Sequence, residues 1–345
     1  MSNEALPVRR IAVRLTNWVG DCVMNTPFLA RLRHHFPQAE VAVFGRKGVV
    51  PLFQHHPHVH TVHAIEDKTL SGFRQAASAV RAFNPDLGFL LPNSIKAASL
   101  MVVAGVPQRV GYDRDARRLL LTHPVELRPE DLAVHEVRYY LRLLHRWETS
   151  AYTPPPLCLS VGTGEQEHMT NWLRERGSGP ADFVLGVNPA AFFGTAKRWP
   201  AERYAEVASK LAKERNARVY VTGLPQERDV AQAVCDAGGP AFHNAAGEMT
   251  LRQLMAFLQR CNLYLTNDSG AMHIGAALGT PLIAVFGSTD WVTTAPLSER
   301  ARIVRVDTPC APCLLRHCPI DHRCMNDVHP AAVYDAATQL LSTLG

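Results

Sequence analysis

Several short stretches carry residues whose types and spacing suit chemistry on a charged, oxygen-rich ligand. In TNDSGAMHIGAALGTPLIAVFGSTD, residues 266–290, a strand ends at Asn267, and Asp268, Ser269 and Gly270 turn the chain into a helix. The free N–H groups and positive dipole end of such a helix suit a diphosphate. Ser269 and Gly270 are small enough to let those amides approach closely. Like charges repel, so Asp268 suits sugar hydroxyls beside the phosphates rather than the phosphates themselves. His273, one turn in, can donate to a phosphate oxygen. Taken singly, Asp268 reads better as a plain N-cap and His273 as a satisfied, half-buried histidine. The whole string after a strand is the more specific signal.

In GTAKRWPAERYAEVA, residues 194–208, Lys197 and Arg198 fall in a strand-to-helix loop. A cation there can neutralise charge that develops on a departing diphosphate, and Thr195 can add a hydroxyl donor. The ordinary alternative is a solvated Lys–Arg pair beside a packing Trp199. In LTNWVGDCVMNTPFL, residues 15–29, Gly20 permits a tight approach and Asp21 opens a helix whose dipole keeps its carboxylate ionised. That carboxylate can take a proton from an acceptor hydroxyl, or simply cap the helix. GLPQERDVA, residues 223–231, offers Glu227 and Asp229 at a strand end to the two ribose hydroxyls of a nucleotide, although acidic first turns also arise from the dipole alone. Met249 can lie against an adenine ring or in the core.

Near the end of the chain Cys310, Cys313, Cys318 and Cys324 fall within fifteen residues, with His317 and His322 among them. Four thiolates can ligate zinc tetrahedrally, but this spacing is looser than a paired CxxC site, so plain free thiols are favoured over a structural metal or a redox-labile cluster. Neither is catalytic. Cys22, Cys158, Cys235 and Cys261 sit in apolar segments as expected buried thiols.

These stretches need elements to hold them. Ile11–Leu15, Glu40–Gly45, Val59–Ile65 and Asp86–Leu91 read as strands, with helices at about Cys22–Phe36, Gly72–Phe83 and, capped by Ser94, 95–103. The βαβα rhythm implies a parallel sheet covered by helices. Three prolines in SAYTPPPLCLSVGTGEQ, residues 150–166, break it. It restarts with strands at Phe183–Asn188, Arg218–Thr222, Leu263–Asn267 and Pro281–Phe286. The helices between them include one opened by Pro200 and one after a Thr250–Gln253 capping box. The expected architecture is two doubly wound, Rossmann-like domains, residues 1–160 and 161–345, facing across a cleft where ligands meet the carboxyl ends of the strands. The last helix, from about Pro330, is expected to pack back on the first domain.

Composition narrows the classes. With 345 residues, 47% of them hydrophobic, the chain can bury two cores. No apolar run reaches the ~20 residues of a membrane span. MSNEALPVRR lacks a signal-peptide core, so a cytoplasmic address is expected. Residues 1–160 hold 19 Lys/Arg against 13 Asp/Glu, with Arg109, Arg114, Arg117 and Arg118 close together, enough to attract an anionic partner. No nucleic-acid motif accompanies them. TNWVGD in place of GxGxxG after the first strand disfavours a dehydrogenase.

At this point the residues carry a resemblance. NWVGDCVMNTPFL, LPNSIKAASL, AGVPQRVGY, AKRWPAERYAEVA and NDSGAMHIGAALGTPLIAVFGSTD, in this order over almost the whole chain, resemble the ADP-heptose:lipopolysaccharide heptosyltransferase family. The LPNSxK and AKRWP forms look like its type II branch, and the cysteine-rich tail is similar to that of some members. The resemblance implies a GT-B fold and an inverting, metal-independent transfer of heptose from ADP-heptose to the first heptose on Kdo2-lipid A. It implies no cofactor, and action at the cytoplasmic face of the inner membrane. It implies Asp21 as general base. It sets Lys197, Thr195, Ser269, Gly270 and His273 at the diphosphate, Asp268 at the heptose, and Glu227 or Asp229 at the ribose. The acceptor would meet Asn93, Lys96, Arg109 and Arg114. The loop expected as PGAEFGPAKRWP reads NPAAFFGTAKRWP: Ala190, Phe192 and Thr195 replace glycine, glutamate and proline, so an acidic contact is missing. A related core-sugar transferase and a non-catalytic nucleotide-sugar or lipid-binding module are the alternatives.

Overall fold

Runs of four to six apolar residues bounded by turns form strands that are covered on both faces, and that is how both halves of this chain are built. The computed structural model describes residues 8–148, 153–191 and 193–344. The start of the expected break, residues 150–152, and Phe192 lie outside the described residues. The chain divides into two units, Met1–Ser160 and Val161–Gly345.

The first unit carries β1 (Arg10–Arg14), α1 (Val19–Met24), α2 (Thr26–His35), β2 (Glu40–Gly45), β3 (Thr61–Ala64), α3 (Leu70–Phe83), β4 (Leu87–Leu90), α4 (Ile95–Val103), β5 (Gln108–Tyr112), β6 (His123–Val125), α5 (Pro129–Leu132) and α6 (Glu136–Leu141). Its sheet is parallel throughout, in the order β3-β2-β1-β4-β5-β6. Ile11 pairs with Val41 on one side and Leu87 on the other, which fixes the central register. The helix expected over 22–36 is two helices. Pro27 sits in the first turn of α2 and Asn25 joins them, its side-chain amide donating to Thr16 Oγ1 at 3.0 Å. A proline has no N–H to continue the α1 ladder, so the chain restarts there.

The second unit carries α7 (Thr163–Glu175), β7 (Val184–Asn188), α8 (Ala201–Arg215), β8 (Arg218–Val221), α9 (Arg228–Gly238), β9 (Phe242–Asn244), α10 (Leu251–Arg260), β10 (Leu263–Asn267), α11 (Gly270–Ala277), β11 (Leu282–Val285), α12 (Trp291–Thr294), β12 (Ala301–Val304), α13 (Arg323–Asn326) and α14 (Pro330–Leu344). Its parallel order, β12-β11-β10-β7-β8-β9, repeats that of the first unit. Strands β7 and β10 are buried along their whole length, whereas β9 and β12 at the sheet edges are half exposed. Helix α8 turns Tyr204, Ala205, Ala208, Leu211 and Ala212 inward and ends on Asn216 in the left-handed conformation, a position asparagine tolerates. Helix α14, expected on the first domain, buries Val333, Ala337 and Leu340 in the core of its own unit beside Val285 and Leu211. Among the described residues no helix is long and apolar enough to cross a membrane.

Candidate active site

In the second unit the strand order reverses between β7 and β10, which leaves a gap in helix cover at the carboxyl ends of these two neighbours. Two asparagines close the strands there. Asn267 is fully buried: its Oδ1 accepts from the Trp199 amide at 3.1 Å and the Tyr204 hydroxyl at 2.7 Å, and its Nδ2 donates to Pro189 O at 2.8 Å. One side chain thereby ties both ends of the loop 189–199 to the end of β10. Asn188 Oδ1 accepts from the Ala190 amide, and Trp199 Nε1 donates to Val328 O at 3.0 Å. Sequence reasoning passed over both asparagines. An amide side chain at the last residue of an otherwise apolar strand was the available signal.

The loop is tied down so that Lys197 reaches α11. Lys197 Nζ donates to Asp268 Oδ2 at 2.7 Å, with the lysine side chain 17% exposed and the aspartate 6%. Ser269 is the N-cap, accepting from the Met272 amide, and its hydroxyl also meets Thr266 Oγ1. Gly270 opens the helix, and His273 is buried within its first turn. The predicted cluster of Lys197, Asp268, Ser269, Gly270 and His273 is therefore assembled at one helix end. It offers a cation, a carboxylate and a row of amides. Thr195 is exposed, with Oγ1 3.0 Å from His317 Nδ1.

The loops after β8 and β9 lie together, since the Gly247 amide donates to Gly223 O at 2.9 Å. Glu227 is buried at this corner, Oε2 accepting from the Leu224 amide at 2.8 Å. Met249 is half buried in the adjoining loop, and Asp229 is exposed on the outer face of α9. Of the two acidic candidates, Glu227 is the one at the strand edge.

In the first unit Asp21 stands in the first turn of α1, half buried, and α1 packs against α6. Burial, helped by the charge of Asp21, pushes the Glu136 carboxyl on α6 up to about 7. Sequence reasoning passed over Glu136, because only the fold brings α6 to α1. Neighbouring Cys22 is buried and its thiol is pushed up to about 12, so it is no nucleophile. At the end of β1, Arg14 is buried against Asp67 at 2.9 Å, an ion pair marked in the sequence only by an arginine inside an apolar strand.

Of the expected acceptor residues, Asn93 and Arg114 both lie near Tyr139, and Arg109 stands apart. Asn93 spends its amide on Tyr139 Oη at 2.7 Å and accepts from Arg117 at 3.1 Å, so it locks its loop. Arg109 is turned onto main-chain carbonyls of Leu120 and Val106 near the amino end of β5, away from the edge that carries Asp21. Arg117 is fully buried and donates to Tyr112 O, and that burial lowers its guanidinium pKa to about 10. Arg114 and Arg118 are exposed, each beside an aspartate, Asp115 and Asp113. The four-arginine patch read from the sequence is thus two paired surface arginines and two structural ones. Lys96 is exposed in the first turn of α4.

All eight cysteines are free thiols. Cys22, Cys235 and Cys261 are buried as expected, whereas Cys158 is half buried. Among the described residues no group of three or more His, Cys, Asp or Glu is arranged to hold a metal ion, so Cys310, Cys313, Cys318 and Cys324 are not assembled as a zinc site. Cys310 is exposed and Cys324 buried.

The profile of Glycosyltransferase family 9 (heptosyltransferase) matches residues 73–323, a span that includes Lys197, Asp268 and the cysteine-rich stretch. The chain belongs to this family. It is a glycosyltransferase. Lipopolysaccharide heptosyltransferase 2 of Escherichia coli K12 is 31% identical over 315 residues, covering 87% of this chain and 88% of that protein. Lipooligosaccharide heptosyltransferase 2 of Campylobacter jejuni is 27% identical over 337 residues, 96% of this chain and 98% of that protein. The solved structure of E. coli ADP-heptose lps heptosyltransferase II has a TM-score of 0.85 at 29% identity, covering 97% of this chain and 99% of that one. These relatives bear out the resemblance to heptosyltransferase II, and the paired Rossmann-like sheets are those of a GT-B heptosyltransferase.

Proposed function

We propose that this family 9 enzyme transfers L-glycero-D-manno-heptose from ADP-heptose to the first heptose of the lipopolysaccharide inner core, with inversion at the anomeric carbon. The observation that carries the reading is the Lys197–Asp268 pair at the N-terminus of α11, at the point where the strand order reverses. The names of the E. coli relatives support the donor and the lipopolysaccharide acceptor.

In the proposed step an acceptor hydroxyl attacks the anomeric carbon while the bond to the ADP oxygen breaks. Asp21 takes the hydroxyl proton. Lys197, the α11 amides at Ser269 and Gly270, and His273 stabilise the charge on the departing diphosphate. Asp268, released from Lys197, receives heptose hydroxyls. Glu227 binds the ribose and Met249 lies against the adenine. A helix end and a lysine neutralise the leaving group without a divalent cation. The basic excess of residues 1–160 supports peripheral contact with anionic lipid at the cytoplasmic face of the inner membrane.

The test is turnover on a one-heptose acceptor lipid with ADP-heptose, UDP-sugars and GDP-sugars in parallel. ADP release with ADP-heptose alone is the expected result. Transfer only to an acceptor that already carries two heptoses would reassign the step. Binding without ADP release would make the chain a nucleotide-sugar-binding module.

A further inference from the structure

The cysteine-rich stretch is laid over the turn that carries Lys197. Thr195–Lys197 form a single 3-10 turn. The Ala196 amide donates to Arg316 O at 3.0 Å, and Ala196 O accepts from His322 Nε2 at 2.9 Å. A carbonyl can only accept, so His322 carries its proton on Nε2. Thr195 Oγ1 lies 3.0 Å from His317 Nδ1. The Arg316 guanidinium stands 5.0 Å from the centre of the Phe193 ring, and Lys197 Nζ stands 5.5 Å from the same ring. The approach is so close that a Cβ on Gly194 would come within 2.2 Å of Arg316 O.

The overlying segment is itself fixed at both ends. The Leu314 amide donates to Ser288 O at 2.8 Å, in the loop after β11. Cys324 and Met325 are buried in the core of the second unit, and the His322 amide donates to Cys318 Sγ at 3.3 Å. One strap thus bridges the loop after β11 and the Lys197 turn, and it touches both the amide and the carbonyl of Ala196, the residue before Lys197.

We propose that this strap is the device that aims Lys197, with His322 and His317 as positioning residues. His322 holds the Ala196 carbonyl and so sets the backbone from which Lys197 projects. His317, donating from Nδ1 to the Thr195 oxygen, leaves the threonine proton free to point at a phosphate oxygen. This rests on the reading of Lys197 as the diphosphate cation. It gives the cysteine-rich segment a role in the reaction that needs no metal.

The experiment measures ADP affinity by calorimetry and steady-state turnover for His322→Ala, His322→Gln, His317→Ala and His317→Asn, each also in a Lys197→Ala background. The glutamine amide reaches the place of Nε2 and the asparagine amide that of Nδ1. Each alanine variant is expected to weaken ADP binding about five-fold and to lower kcat similarly, the loss of one hydrogen bond, with acceptor KM unchanged. The amide variants recover most of the loss. In the Lys197→Ala background the histidine substitutions add little, because the group they aim is gone. Alanine variants with unchanged ADP affinity and kcat would overturn the proposal. So would losses that multiply undiminished on Lys197→Ala, or amide variants that fail to rescue. Should His322→Ala not fold, the exposed His317 pair supplies the same readout. If Lys197→Ala itself leaves ADP binding and turnover intact, it is the diphosphate reading that fails, not merely the strap.

Discussion

Asp21 and Glu136 sit on packed helices, close enough for the charge of one to act on the other. Burial and the charge of Asp21 hold the Glu136 carboxyl at about 7, against an ordinary value of 4.5. A raised carboxyl favours the protonated folded state. Its contribution to stability is complete below about pH 4.5 and is lost as pH rises toward 7, by up to ~3 kcal/mol. Glu136→Gln should flatten that stretch of the stability–pH curve in denaturant titrations at pH 5 and 8. If Asp21 is the base, the charge that appears on neighbouring Glu136 alters its surroundings, and the kcat/KM profile of the wild type should show an inflection near 7 that Glu136→Gln removes. Asp21→Asn should lower kcat about 10²–10⁴-fold with ADP affinity retained. Near-normal turnover in a folded Asp21→Asn protein would exclude it as the base.

Between elements, the decisive tie is Asn267, through which the end of β10 holds the entry to α8 and the loop before it. Replacing it with leucine leaves the Trp199 amide and the Tyr204 hydroxyl buried without their acceptor. The expected cost is about 2–4 kcal/mol, read as a lowered midpoint in urea, together with weakened ADP binding as Lys197 loses its mounting. The N-cap of α11 is a smaller effect. Ser269→Ala should cost about 1 kcal/mol, chiefly the lost cap on the Met272 amide, since Thr266 Oγ1 keeps its bond to Asn267 O. A variant at Asn267 that is destabilised yet binds ADP normally would separate the tie from the site.

On the scale of the whole chain, each unit is closed by contacts far apart in sequence. In the first, Glu148 accepts from both Arg31 Nε and Nη2 and lies 2.9 Å from His35, over a separation of more than a hundred residues. The Arg31 guanidinium, with His35, holds the Glu148 carboxyl down at about 2. A depressed carboxyl stabilises the fold above its ordinary value, and that stability is lost as pH falls from about 4.5 toward 2. Glu148→Gln should therefore lower Tm by a few degrees at pH 7 and by clearly less at pH 2.5, where the charge is already being lost. An equal loss at both pH values would mean that packing, not charge, closes the unit.

The sequence by itself determined the two parallel α/β halves and the cluster at α11, because central strands are continuous apolar runs and the site residues follow them within a few positions. Edge strands such as β6, β9 and β12 were illegible or faint, since three or four half-exposed residues with histidines and arginines among them carry no period. The sequence also marked Lys197, Asp268 and Ser269 as candidates, and a helix end supplies the same amides in any fold. Only the tertiary structure decided that Lys197 meets Asp268, that Glu136 neighbours Asp21, and that Arg109, Arg117 and Asn93 are spent on structure. It also brought His317 and His322 onto the Lys197 turn. These are pairings between side chains tens of residues apart, and their geometry is set by packing, which no local pattern encodes.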